Sequence, residues 1–246
     1  MVFTQPGKRR AQNSPMIWII IPTYNEEKAL PHTITSVLSQ STPYRVIVVD
    51  GGSTDRTLEI LRQNPQISWC MAPKGRASQM NAGARFVIQQ QASVDDWLLF
   101  LHADTQLPRG AFQHLHHLAS DPSSQAGGFR HCFSGKDWRL RMISWLDNLR
   151  CTHSHIIYGD QALFVRQGLF TQLGGFPMQA VLEDVVFGQT LLTKTTPRLL
   201  PLTVITDSRK FVKMGIWRSF IRVLMIILHV EFGLRTFSPA FFRDVR

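Results

Sequence analysis

A single α/β domain built on a largely parallel sheet flanked by helices is the fold class this sequence predicts, on three observations. Short apolar runs alternate with segments of helical periodicity, the first two runs are apolar at every position rather than at every second one, and polar clusters follow four of the runs at their carboxyl ends. Unbroken apolarity marks strands covered on both faces, as in sheets made from strand–helix–strand crossovers. Ligands of such sheets bind beyond the carboxyl ends of the strands, so the polar clusters point to one functional edge.

The elements follow in order. Residues 1–14 read as a basic flexible leader carrying Lys8, Arg9 and Arg10. The run Met16–Ile21 is cut by Pro22 and followed by Glu26 and Glu27, with no small-residue cleavage site, so it reads as a first buried strand and not as the core of a signal peptide. Strands are expected at Arg45–Asp50, Ile67–Met71 and Trp97–His102, with helices at Leu30–Ser39, Thr54–Gln63 and Ser78–Gln90 between them. Beyond Pro108 the pattern loosens into a helix at Arg109–Ala119, a strand at Ala126–Phe133, a helix at Trp138–Arg150, a short strand at Ala162–Arg166 and a helix through Val185–Leu192. No repeat or linker divides the chain, which places one domain over 15–210 and a C-terminal amphipathic helix and tail over 211–246.

That last segment, Ile216–Leu234, is apolar in bulk but carries Arg218, Arg222, His229 and Glu231. Each charge would cost a few kcal/mol at the centre of a bilayer, which argues against a spanning helix. Arg218 and Arg222 share a face, opposite Phe220, Val223, Leu224, Ile227 and Leu228. A helix packed on protein and a helix lying on an anionic membrane surface both fit this pattern.

Composition sets the outer limits. With 246 residues, 44% hydrophobic and 18% charged, the chain is neither fibrous nor disordered. Its 27 Lys and Arg against 17 Asp and Glu give a net charge of +10, which favours anionic partners such as nucleotides, phosphates or acidic lipids. No nucleic acid is expected as a partner, because no recognition module or dense basic–aromatic tract is present. Cys70, Cys132 and Cys151 stand far apart, which speaks against a disulfide scaffold, a thiolate zinc site or a redox motif and suits a cytoplasmic chain with reduced thiols.

Two clusters carry most of the chemistry. The first strand runs into Pro22-Thr23-Tyr24-Asn25-Glu26, where proline ends the ladder and polar groups become available to a ligand. The second runs into Asp50-Gly51-Gly52-Ser53-Thr54-Asp55, a carboxylate at the strand tip, glycines for close approach and a Ser/Thr cap opening a helix. A ribose or base edge and a phosphate would both be served there. Either cluster alone could be an ordinary turn.

Together they resemble family 2 glycosyltransferases, the inverting enzymes of the GT-A nucleotide-diphospho-sugar fold. The likeness continues through Lys74-Gly75-Arg76-Ala77, Gln79-Met80-Asn81-Ala82-Gly83, Leu99-Phe100-Leu101-His102-Ala103-Asp104, Tyr158-Gly159-Asp160-Gln161, Gly174-Gly175-Phe176-Pro177 and Leu182-Glu183-Asp184-Val185. This ordered series is similar to the subfamily called radical-SAM/selenodomain-associated glycosyltransferases and runs from about Ile17 to beyond Trp217.

The resemblance implies that Pro22, Thr23, Asn25, Glu26, Asp50, Gly52 and Ser53 hold the donor nucleoside, with Arg76 and Asn81 toward the diphosphate or sugar. Arg76 in a glycine-containing loop offers forked donors matched to phosphate oxygens, a solvated cation being the alternative. His102-Ala103-Asp104 stands where the family has its D-x-D motif, which makes Asp104 the expected ligand of a divalent cation. The first acidic position is histidine here. One carboxylate plus phosphate oxygens suits Mg²⁺, whereas ligation by His102 would lean toward Mn²⁺, and His102 as a hydrogen-bonded strand-end residue is the competing reading.

Asp184 matches the family's E-D motif as catalytic base, and Glu183 would support the loop or the acceptor; acidic residues at a helix start also favour its dipole. Asp160, Gln161, Gly175 and Phe176 are expected on the acceptor side, with Phe176 and Trp145 as candidate platforms for a sugar ring or lipid. His114, His116 and His117 on one short helix do not make a metal site. Ser208-Arg209-Lys210 lies where related enzymes place a basic motif near the diphosphate, but the Q-x-x-R-W form of processive synthases is absent.

The expected activity is therefore sugar transfer from a nucleotide-diphospho-sugar to an acceptor hydroxyl, on an acceptor that could be lipid-linked or carotenoid-like, with peripheral contact to the inner membrane face. A nucleotidyltransferase would want a glycine-rich phosphate loop after the first strand, which Pro22–Glu26 is not. A noncatalytic nucleotide-sugar or membrane-surface binding module is the alternative outside enzymes.

Overall fold

The computed structural model describes residues 15–179 and 182–232. The leader 1–14 and the end of the C-terminal segment beyond residue 232 lie outside the described residues.

Strands β1 (Ile17–Thr23), β2 (Tyr44–Asp50), β3 (Ser68–Met71) and β4 (Trp97–Phe100) pair in parallel, in the spatial order β3-β2-β1-β4. Helices α1 (Leu30–Leu38), α2 (Thr57–Arg62) and α3 (Arg76–Gln89) make the crossovers. Every residue of β1 is buried, as its unbroken apolarity requires. Ile17, Ile19 and Ile21 face one core layer with Leu30, Ile34, Phe112 and Leu115, while Trp18 and Ile20 face another with Met80, Val87, Phe100 and Phe170. Gly83 lets α3 lie against the sheet, since a Cβ there would stand 2.4 Å from Ile20 Cγ2.

The second half adds antiparallel pairings to this largely parallel sheet. β5 (Thr105–Gln106), α4 (Ala111–Leu118), β6 (Ala126–Phe133), α5 (Trp138–Ser154), β7 (Phe164–Arg166), α6 (Gln167–Gln172), α7 (Glu183–Leu192) and β8 (Arg198–Thr206) complete an eight-stranded mixed sheet, in which β4–β7, β6–β7 and β5–β8 are antiparallel. β8 escapes the sequence reading because its burial is irregular, with exposed Arg198, Pro201 and Ile205 and a register shift opposite Phe129 and Arg130. The chain then forms α8 (Arg209–Lys213) and α9 (Ile216–Phe232). Ile216 packs with Leu140 and Ile143 of α5, and Ser219 Oγ donates to the Phe211 carbonyl at 3.2 Å, so the first turns of α9 are docked on the domain.

Candidate active site

The loops after β1 and β2 are laced together by side-chain bonds that the polar clusters supply. Asn25 NH donates to Ser53 Oγ at 2.9 Å, Thr54 NH donates to Asn25 Oδ1 at 2.8 Å, and Glu26 NH donates to Thr57 Oγ1 at 2.9 Å. Asp50, fully buried, accepts from Gly52 NH and Ser53 NH at 2.8 Å each and from Ser53 Oγ at 2.5 Å. Gln79 on α3 donates through Nε2 to the carbonyls of Thr23 at 2.7 Å and Val49 at 2.8 Å, which ties the two strand ends to the start of α3.

Beyond these loops lies a cavity of about 450 Å³. Pro22, Thr23 and Glu26 from the first loop, Arg76 from α3, and His102 and Asp104 after β4 line one side; Asp160 and Asp184 line the other. Asp104 and Asp184, 80 positions apart in sequence, thus share one space.

Lys210 of α8 reaches in beside Asp104. Its ammonium is hydrogen-bonded to Glu26 Oε1 and lies 3.4 Å from Asp104 Oδ2. Burial works against its charge, but Asp104 and Glu26 outweigh that cost and hold the Lys210 pKa above its ordinary value. Lys74 Nζ sits 3.8 Å from the centre of the Tyr24 ring, a cation–π contact at the same rim.

Asp184 is set by its surroundings on both oxygens. Oδ2 accepts from Gly159 NH at 2.7 Å and Oδ1 from Val185 NH at 2.9 Å. The approach requires glycine at 159, because a Cβ would stand 2.6 Å from His102 Nε2 and 3.1 Å from Asp184 Oδ2. The strand-end histidine and the helix-start aspartate therefore press on one 3-10 turn, Gly159–Gln161.

Below Asp184 is a group that sequence reasoning missed. His131 of β6 is 1% exposed, with Nδ1 3.9 Å from Asp147 Oδ2 and Nε2 3.7 Å from Asp160 Oδ2. These distances are too long for hydrogen bonds, and neither ring nitrogen has a hydrogen-bond partner among the described residues. One ligand atom from each of the three residues lies within 4.8 Å of the others, an imidazole and two carboxylates with the donor chemistry of a divalent cation site. Asp147 also binds Arg150, Oδ1 to Nη2 at 2.9 Å. Burial pushes the Asp160 pKa up to about 6; Asp147 and Asp184 add to the push and His131 opposes it. The Tyr158–Gln161 motif announces Asp160, but nothing local in the sequence announces His131 and Asp147 beside it.

Several expected site residues stand elsewhere. Asn25, Asp50, Gly52 and Ser53 do not line the cavity; they shape the loops behind it. Asn81, expected at the diphosphate, instead clasps the backbone of Phe176, accepting from its NH at 2.9 Å and donating to its carbonyl at 2.8 Å. Phe176 is no platform: its ring is 2% exposed and packs among Phe100, Phe170 and Phe187. The Gly174–Gly175 turn serves that packing and lies off the cavity wall, as does Trp145, 62% exposed on α5. Gln161 is fully buried, accepting from Tyr158 NH at 3.0 Å, and Glu183 is 2% exposed behind Asp184.

Residues 18–180 match the model of glycosyl transferase family 2. A 4,4'-diaponeurosporenoate glycosyltransferase of Staphylococcus haemolyticus is 33% identical over 111 residues, 41% of this chain and 27% of the relative. A PGL/p-HBAD biosynthesis glycosyltransferase of Mycobacterium bovis is 33% identical over 109 residues, 38% of this chain and 37% of the relative. The matches thus span well under half the length of these curated relatives. Among solved structures, a mannosyltransferase from Pyrobaculum calidifontis in complex with GDP-Man and Mn²⁺ superposes with a TM-score of 0.63 at 20% identity, over 95% of this chain and 68% of the other. TarS 1-349 of S. aureus in complex with UDP-GlcNAc gives 0.58 at 17% identity, over 91% and 68%. The fold is shared with both.

Proposed function

The chain belongs to glycosyl transferase family 2, and from that premise we propose that it transfers a sugar, with inversion, from a nucleotide-diphospho-sugar to the hydroxyl of an apolar acceptor. The observation that carries the reading is the shared cavity of Asp104 and Asp184, one at the end of β4 and the other opening α7, with Arg76 and Lys210 on the donor side.

In this reading the nucleoside lies over Pro22, Thr23 and Glu26, and Asn25, Asp50, Gly52 and Ser53 fix the loops that receive it. The diphosphate is met by Arg76 and Lys210, whose charges offset those of the leaving group. A divalent cation, Mg²⁺ or Mn²⁺, suits the place: Asp104 offers a carboxylate at the cavity wall and donor phosphates would complete the shell, with His102 nearby as a nitrogen donor. Such a cation, when bound, neutralises developing charge on the leaving diphosphate. Asp184 takes the acceptor's hydroxyl proton as that oxygen bonds to the anomeric carbon and the bond from that carbon to the diphosphate breaks on the opposite face. The nucleoside diphosphate leaves with the electron pair.

The acceptor side is apolar. Phe133, Ile143, Phe211, Met214 and Val223 line the cavity beyond the acidic groups, which suits an alcohol carrying a hydrocarbon body, a lipid-linked or carotenoid-like molecule. The name of the Staphylococcus relative carries diaponeurosporenoate, a long hydrocarbon acid, which supports the hydrocarbon body of the acceptor. Turnover of a panel of UDP- and GDP-sugars, with Mg²⁺ or Mn²⁺ and isoprenoid alcohols, tests the reading. Wild type should release nucleoside diphosphate and Asp184→Asn should be slower by at least about 100-fold; equal rates would remove the base, and release of pyrophosphate from a nucleoside triphosphate would favour nucleotidyl transfer.

A further inference from the structure

Helices α5 and α9 turn large apolar side chains to solvent on the side away from the sheet. On α5, Trp138 is 65% exposed and Trp145, seven residues on and hence on the same face, 62%. On α9, Trp217, Ile221 and Leu224 repeat at helical spacing, all exposed. The two rows meet where the Trp138 and Trp217 rings stand 6.4 Å apart. A cluster of this kind on a single chain marks an interaction surface.

Its composition says which kind. Indole rings are enriched where hydrocarbon meets water, because one edge is apolar and the N–H still finds a partner. Lys136, Arg141, Lys213 and Arg218 are exposed on the same two helices or beside them. No described helix is long and apolar enough to cross a membrane. Tryptophan and leucine flanked by Lys and Arg suit a helix pair lying in the plane of an anionic lipid surface.

The same two helices also wall the cavity from within. Ile143 of α5 and Val223 of α9 line its apolar end, while Trp145 and Leu224, close by on each helix, look outward. We propose that the α5–α9 face is a docking surface for an anionic lipid bilayer, which presents the acceptor's hydrocarbon body to the cavity between these helices. The acceptor half of this statement rests on the function proposed above; the docking half stands on the surface alone.

Flotation of the full chain with vesicles of neutral phosphatidylcholine, or of phosphatidylcholine with about one third phosphatidylglycerol, tests it. Wild type should float with the anionic vesicles, with a blue shift of tryptophan emission, and the bound fraction should fall at least tenfold in Trp138→Ser/Trp217→Ser. Ile221→Glu, at an exposed position, is an independent second variant. Circular dichroism and the melting temperature should match wild type in both, so lost binding would not report unfolding. Absence of wild-type binding to either vesicle, or unchanged binding in both variants, overturns the proposal. So does sedimentation showing a wild-type dimer that Trp217→Ser dissociates, for then the face would join two copies. Hydrolysis of the donor sugar in water separates the two readings: vesicle binding lost with hydrolysis retained removes only the docking surface, and binding retained with no turnover of any nucleotide-sugar removes only the transferase.

Discussion

Lys210 Nζ lies 3.4 Å from Asp104 Oδ2 while also bonded to Glu26, so a residue from the C-terminal end of the domain neutralises acidic groups delivered by β1 and β4. A half-exposed cation between two carboxylates is held by both, and removing it leaves Glu26 and Asp104 without their shared counter-charge. The proposed donor brings further negative charge to the same place.

Lys210→Ala is therefore expected to weaken binding of a nucleotide-diphospho-sugar by roughly 10- to 100-fold, the range of a hydrogen bond to a charged group. Calorimetry with and without Mn²⁺ checks it. Asp104→Ala should abolish the cation dependence of binding, and unchanged cation-dependent affinity in that variant would count against its role as ligand.

Asp160 gives a stability that depends on pH. Its folded-state pKa is pushed up to about 6, above the unfolded value of about 3.9, so the folded chain holds this proton more tightly. The stabilisation is fully present below the unfolded pKa and is lost as pH rises through 6. Asp160→Asn cannot ionise, so its melting temperature relative to wild type should rise between pH 4.5 and pH 7.5. A constant difference across that window would show that the carboxyl is not perturbed.

His102 and Asp184 leave no room for a side chain at Gly159. A methyl group there would stand 2.6 Å from His102 Nε2, closer than side chains tolerate. Gly159→Ala should displace the ring or the Asp184 carboxylate, lower kcat by about 100-fold and leave donor affinity nearly intact. Loss of donor affinity with kcat preserved would mean that this turn serves the donor side.

The sequence made the front half of the sheet legible because Ile17–Ile21 of β1 and Val46–Val49 of β2 are apolar at every position and run straight into proline, aspartate and glycine, signals that lie within a few residues of one another. Asp104 and Asp184, the expected ligand and base, each lie beside an element boundary. The sequence could not show the pairing of β8 beside β6, whose mixed burial reads like a loop, nor the meeting of His131, Asp147 and Asp160, which depends on how α5 packs. Asn81 and Phe176 mislead for a related reason: motif residues lie near a site both when they touch ligand and when they brace the turn that does. Asn81 braces the backbone of Phe176, 95 positions away.

That distinction can be measured at Phe176. Its ring is buried against Phe100, with centroids 4.8 Å apart, and against Phe187 at 4.7 Å, so truncation removes core packing and leaves a void. Phe176→Ala should cost about 3–5 kcal/mol in urea unfolding, with Phe176→Leu costing considerably less because most of the volume is kept. A platform for the acceptor would behave in the opposite way, raising the acceptor KM with stability unchanged. Should the alanine variant unfold at the wild-type midpoint while losing acceptor affinity, the ring must face the cavity in solution and the packing described for it would be wrong.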